Sequence, residues 1–194
     1  MQNKKKNVNL QRKTKLEKNN YDTYNKEKKE CTKTEKSALS SQMRISGGRP
    51  VQYRKIMQYL LDTEALIWYL TDDKRLPDTI REDIECSYRK YSVAAISLVE
   101  IVQLQQINRI SLKASPSEIM NVLEQAYIKV NEASTDIMDY FYHMDFAIVN
   151  GRAHTDPFDR LIIASAIKTN KTLISSDRKF PEYRELFGLQ LLEI

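Results

Sequence analysis

The sequence predicts an α/β domain built on a mostly parallel central sheet with helices on both faces. Short apolar runs alternate with longer amphipathic stretches, and turn and cap signals separate the two kinds. The runs are also uniformly hydrophobic. A strand buried on both faces reads this way, whereas a strand with one wet face alternates apolar and polar residues.

MQYLL (57–61) reads as the first strand. Asp62-Thr63 then opens a helix with Leu66, Ile67 and Leu70 on its inner face, ending near the charged loop TDDKR. Pro77 and Asp78 start a second helix, PDTIREDIECSYRK. YSVAAIS is the second expected strand. Ser97, at capping-box spacing from Glu100, is expected to open the helix that continues through Ile101, Leu104 and Ile107. SPSEIMNVLEQAYI follows, capped by Ser115 with Pro116 at its first position. IKVNEA reads as a third strand and STDIMDYFYHM as another helix. In DPFDRLIIASAIKTN, Asp156 is the N-cap, Pro157 takes the first helical position, and Leu161, Ile162, Ala164 and Ala166 turn inward. TLISS is the next strand.

Charge divides the chain unequally. Residues 1–56 hold 16 Lys/Arg against 5 Asp/Glu and residues 57–194 hold 15 against 21, so the net charge of +5 belongs to the first part. That part is rich in Lys, Asn, Gln and Thr, and its apolar residues have no period. It cannot bury enough surface to offset its ordering entropy and is expected to be a disordered basic extension, joined through SGGRP. Met57 is the expected start of the working domain, and residues 57–194 have the size of one domain with a single core. The favoured reading gives this extension no role of its own; in the other, its Lys and Arg raise affinity for any RNA by counterion release.

The two cysteines, Cys31 and Cys86, make no disulfide framework and suit a reducing compartment, with the cytoplasm the expected location. No apolar stretch approaches the roughly 18–20 residues of a spanning helix, so no membrane is expected. Nor does a signal-peptide core follow the basic N-terminus. The histidines, His143 and His154, lie far from both cysteines and do not make a zinc site.

Asp62, Glu100, Asp159 and Asp177 each stand where an apolar run gives way to a loop or helix start. In an open parallel sheet the carboxyl ends of the strands share one crevice, so acids placed there converge. Converging carboxylates repel one another and stay ionised only beside something positive. A hard divalent cation with oxygen ligands neutralises them best, which points to metal-dependent phosphodiester chemistry.

LLDTEALIWYL, SLVEI, HTDPFDRLIIASA and TLISSDRKFPEY, in this order and spacing, resemble the PIN-domain ribonucleases and, within them, the VapC-type toxins of bacterial toxin–antitoxin pairs. The resemblance covers nearly all of residues 57–194. It implies a PIN-like three-layer fold and an endoribonuclease dependent on Mg²⁺ or Mn²⁺. Asp62, Glu100, Asp159 and Asp177 would be both its catalytic residues and its metal ligands. It also implies a cognate antitoxin and a homodimer, to which Trp68, Tyr69, Tyr140, Phe141 and Tyr142 would contribute apolar surface beyond what one core hides. The residue after Asp62-Thr63 is often His in this family and is Glu64 here.

Each residue also has a plainer reading. Glu100 can be only the capping-box partner of Ser97, and Asp156 reads more naturally as an N-cap than as a ligand. Asp159 can complement a helix dipole, and Asp177 can be a turn residue. Thr63 and Ser175 are candidates to hold metal-bound water or RNA phosphate. His154 either contacts phosphate or Asp156, or is a polar loop residue. Arg160 either orients Asp159 or touches RNA, or faces solvent. Two further functional classes stay open: a non-catalytic nucleic-acid-binding module of the same fold, and an RNA-processing nuclease without an antitoxin.

Overall fold

The computed structural model describes residues 57–87 and 90–194, so the expectations for 1–56 lie outside the described residues. In chain order the first elements are β1 (Tyr59–Leu61), α1 (Thr63–Thr71), α2 (Asp78–Cys86), β2 (Tyr91–Ala94), α3 (Ala95–Gln106), α4 (Pro116–Gln125) and β3 (Lys129–Asn131). Then come α5 (Thr135–His143), β4 (Ile148–Val149), β5 (Arg152–Ala153), α6 (Pro157–Lys168), β6 (Thr172–Ser175), α7 (Glu182–Phe187) and β7 (Leu191–Glu193). Five strands make one sheet in the order β3-β2-β1-β6-β7, with every adjacent pair parallel. The chain thus leaves β1 toward β2 on one side and reaches β6 on the other, which makes β1 the switch point of the sheet.

Alternation along the strands produces two cores. Leu61 shares one face with its register partners Val93 and Ile174, and that face packs against apolar side chains of α1, α2, α3 and α4. Leu60, Leu173 and Ala94 point the other way, onto Ile162, Ile163 and Ala166 of α6, Tyr183 of α7, and Met144. Leu60 and Leu61 are both fully buried, as both-face coverage of a parallel sheet requires. Trp68 and Tyr69 belong to the first core, at 5% and 2% exposure, so neither supplies the dimer surface expected of them. Within α6, Leu161 is half-buried while Ile162 through Ala166 are buried.

Several elements end earlier than their sequence pattern suggests. β2 stops at Ala94, which is already the extended residue before α3, so Ser97 lies inside the helix, fully buried. No capping box with Glu100 forms. Four residues suffice to cross this narrow sheet, and the following Ala-Ile-Ser goes to helix and packs inward. α2 stops at Cys86. There Ser87 turns extended, and Asp83 accepts hydrogen bonds from Lys90 Nζ and the Tyr91 hydroxyl, which fold the chain back into β2. Three elements lie outside the predicted pattern: α7, β7 and the β4–β5 hairpin. In the hairpin both turn residues, Asn150 (φ 51°) and Gly151 (φ 75°), adopt the left-handed region. An Asn-Gly pair is the preferred sequence for such a two-residue turn.

Because Leu61 fills the first core directly behind Asp62, Leu61→Ala is expected to cost about 2–5 kcal/mol of unfolding free energy in urea titration. A cost under about 1 kcal/mol would contradict the two-core packing.

Candidate active site

The carboxyl end of β1 sets the centre of the site. Asp62 is the extended residue between β1 and α1, and its carboxylate caps the helix by accepting from Thr63 N at 2.6 Å. Its other oxygen accepts from Ser175 Oγ at 2.5 Å, across from the end of β6. Ser175 Oγ in turn accepts from Asp177 N at 3.0 Å, tying the loop after β6 to the central carboxylate.

Asp159 arrives from the first turn of α6, whose N-cap, Asp156, accepts from Phe158 N at 2.9 Å and Asp159 N at 3.3 Å. Asp159 Oδ2 accepts from Lys179 Nζ at 2.8 Å and lies 3.0 Å from His154 Nε2. A carboxylate only accepts, so that imidazole nitrogen carries a hydrogen. His154 Nδ1 lies 3.0 Å from the Tyr183 hydroxyl, so α7 fixes the ring that fixes Asp159. Lys179 also reaches Asp177, with Nζ 3.0 Å from Oδ2 and its backbone N donating to Oδ1 at 2.8 Å. Glu100 comes from the second turn of α3, which packs against both α1 and α6 and so overlooks Asp62 and Asp159 together.

The acids, Thr63 and Lys179 line a cleft of about 670 Å³, with Ser175, His154 and Tyr183 behind its wall. Its carboxylates are Asp62, Glu64, Glu100, Asp156, Asp159 and Asp177, and its cations Arg75, Arg109, Arg178 and Lys179, an excess of negative charge. Burial pushes the Asp62 carboxyl up to about 7. Asp159 and Glu100 push the same way, while the Ser175 and Thr63 hydrogen bonds only partly offset them. Burial likewise raises Glu100, with the charges of Asp159 and Asp156 adding to it. The Thr63 hydroxyl lies near Glu100 and favours its charged form. It falls short of hydrogen-bond geometry, however, so this buried Oγ1 has no partner. Lys179 is raised: burial alone would lower it, but the bonds and charges of Asp159 and Asp177 prevail.

The structure therefore gathers all four predicted acids, with Thr63, Ser175 and Asp156 around them. For His154 the Asp156 contact is corrected: the residue lies in the loop before α6, only 8% exposed, and bonds Asp159 instead. Arg160 is corrected too. It is buried, donates to the Met144 carbonyl, and stands 4.0 Å over the Phe146 ring and 5.1 Å over that of Phe141, so it neither orients Asp159 nor faces solvent. Glu64 is exposed. It accepts from Ser176 Oγ at 2.7 Å and pairs loosely with Arg75 at 3.7 Å. Sequence reading missed Lys179 and Tyr183. No spacing rule joins Lys179 to Asp159 across 20 residues, and only the meeting of the β6 loop with α6 does so.

All-oxygen donors, an excess of negative charge and an orphaned buried hydroxyl suit a hard divalent cation such as Mg²⁺ or Mn²⁺. As the side chains lie, no three His, Cys, Asp or Glu groups among the described residues enclose an ion.

A carboxylate-rich cleft at the switch point of a parallel sheet between helical layers defines a three-layer α/β domain with an acidic site. Residues 59–186 match the PIN domain model, and the chain belongs to the PIN domain family. No curated protein matches the sequence. Similar solved structures include VapBC2 from Rickettsia felis bound to a promoter DNA fragment, at 15% identity and TM-score 0.49, covering 71% of this chain and 98% of that one. DNA-bound VapBC from Salmonella typhimurium is similar at 16% identity and TM-score 0.48, over 71% and 98%. VapBC-5 from Mycobacterium tuberculosis is similar at 13% and 0.44, over 71% and 98%.

Asp62 gives a pH prediction. Its folded pKa of about 7 lies above the ordinary 3.8, so the folded chain holds that proton more tightly than the unfolded chain. Its contribution to stability is present below about pH 4 and is lost as pH rises through about 7. In chelator, Asp62→Asn should therefore be more stable than wild type by about 1–3 kcal/mol at pH 8, the gap closing toward pH 4 in denaturant titrations. A gap independent of pH would refute the raised carboxyl that burial, and secondarily the charges of Asp159 and Glu100, give Asp62.

Proposed function

We propose that this PIN-domain protein is a metal-dependent endoribonuclease and the VapC-type toxin of a toxin–antitoxin pair, acting in the cytoplasm. The observation that carries the reading is the convergence of Asp62, Glu100, Asp159 and Asp177, from four separate segments, in one cleft where carboxylates outnumber cations. Like charges this close are costly in a resting protein and useful where a cation and a polyanion must meet.

Asp62 is the central ligand, pinned by Thr63 N–H and Ser175 Oγ so that its carboxylate cannot rotate away. Glu100 and Asp159 face it from α3 and α6, and the His154–Tyr183 pair holds Asp159 in place. Asp62, Glu100 and Asp159 would hold a divalent cation, which would supply what the side chains lack: a more acidic water and a counter-charge for the attacked phosphate. Thr63 Oγ1 is available to orient that water. Arg75, Arg109 and Arg178 offer charge to flanking RNA phosphates, and Ile67, Leu104 and Ile110 give the cleft an apolar wall.

The antitoxin reading rests on the motif resemblance. The apolar wall suits an amphipathic helix that also presents Arg or Lys to the acids. Met138, Tyr142, Phe146 and Ile148 are exposed apolar side chains on α5 and the segment after it, and we assign the homodimer surface to them. Sedimentation of the full chain at micromolar concentration should give a dimer, and Tyr142→Glu should shift it to monomer. A wild-type monomer would refute that assignment.

Asp62→Asn, Glu100→Gln and Asp159→Asn should each lower Mn²⁺-dependent RNA cleavage by roughly 100-fold or more while the circular dichroism spectrum stays unchanged. Full cleavage by Asp62→Asn in a nuclease-free preparation would contradict the assignment. RNA binding without cleavage by the wild type would favour the non-catalytic module.

A further inference from the structure

Lys179 holds an unusual place among the cations of the cleft. Its ammonium bridges two members of the acid quartet carried by different elements, 2.8 Å from Asp159 Oδ2 and 3.0 Å from Asp177 Oδ2. It also stands 3.3 Å from His154 Nε2. The bond from its backbone N to Asp177 Oδ1 keeps the lysine in register with the bridge. A compact, strongly hydrated point charge among carboxylate oxygens is the nearest thing a side chain offers to a small hard cation.

The side chain is nonetheless 39% exposed, so the ammonium has a short path to water that leaves both cores intact. Among the described residues no three candidate groups enclose an ion, and the ammonium lies in the space between Asp159 and Asp177.

We propose that Lys179 is a built-in counter-ion of the acid cluster, pairing Asp159 with Asp177 where no cation is bound, so that cation binding displaces Lys179. This rests on the metal-dependent reading above and adds to it a regulation of the same site. The lysine quiets carboxylate repulsion in the cation-free protein and weakens cation affinity by the ion pairs that must break. Removing it should produce opposite effects on two quantities: the cation-free protein becomes less stable, and the cation binds more tightly.

Two measurements on the full chain test this. In calorimetric Mn²⁺ titrations, Lys179→Gln should bind about tenfold more tightly than wild type, a change of the size its two partly exposed ion pairs account for together. Lys179→Arg keeps the charge and should change affinity less than Lys179→Gln does. Arg178→Gln removes the same charge from the same cleft without touching the bridge and should change affinity much less. Should Lys179→Gln fold poorly, amine labelling of the wild type reads the displacement directly. With peptide mapping by mass spectrometry, Lys179 should be acylated at least about fivefold faster at saturating Mn²⁺, while Lys90, paired with Asp83 at 2.7 Å, stays constant. Mn²⁺ binding with no change in Lys179 labelling, or equal affinity in well-folded Lys179→Gln and wild type, overturns the displacement and leaves the metal reading standing. No Mn²⁺ binding by either protein overturns the metal reading, and this inference with it.

Discussion

Repulsion between carboxylates gathered at one end of a parallel sheet governs the arrangement around the cleft. Asp62 is buried because β1 is the middle strand and its carboxyl end opens into the switch-point crevice. Burial of a carboxylate is tolerated only when its oxygens are satisfied, and here Thr63 N–H and Ser175 Oγ serve one oxygen each. The second layer of support works the same way: Tyr183 steadies His154, His154 steadies Asp159, and Lys179 lies between Asp159 and Asp177. Each added acid raises the cost of the others, so the neighbouring groups are donors or cations wherever a carboxylate is enclosed.

The two cores make that cost bearable. Leu60 and Leu61 send their side chains to opposite faces, so the short central strand is anchored twice within two residues of the buried carboxylate. Helices on each face then deliver the other acids. α3 touches both α1 and α6, which is why Glu100 can face Asp62 and Asp159 together. The acids are concentrated at one end of the sheet, while the apolar packing is spread through both layers.

Much of the sheet and all four acids were legible in the sequence, because apolar runs, Pro-led helix starts and N-caps act locally. Ser115 with Glu118, and Asp156 before Pro157, form the caps their spacing implies. What was not legible depends on contacts distant in sequence. Arg160 follows Asp159 directly, yet one residue along a helix turns the side chain by about 100°, and it leaves the cleft for Met144 and the Phe141 and Phe146 rings. His154 reads as loop until Tyr183 and Asp159 close on it. Ser97 looked like a cap because its spacing to Glu100 is right, but strand length, a property of the sheet, decides where α3 begins. The β4–β5 hairpin is a different case, since Asn150-Gly151 stands in the sequence as a turn signal and only its flanking strands are short.

The central claim is that this carboxylate cleft hydrolyses RNA with water as the attacking group. The direct measurement is a single-turnover cleavage in ¹⁸O-labelled water with Mn²⁺, followed by mass analysis of the new RNA ends. The account predicts one ¹⁸O atom on the new terminal phosphate and no 2′,3′-cyclic phosphate at any time point. A cyclic phosphate, formed equally well in chelator, would mean that the neighbouring ribose hydroxyl attacks and that the acids at this edge of the sheet serve another purpose.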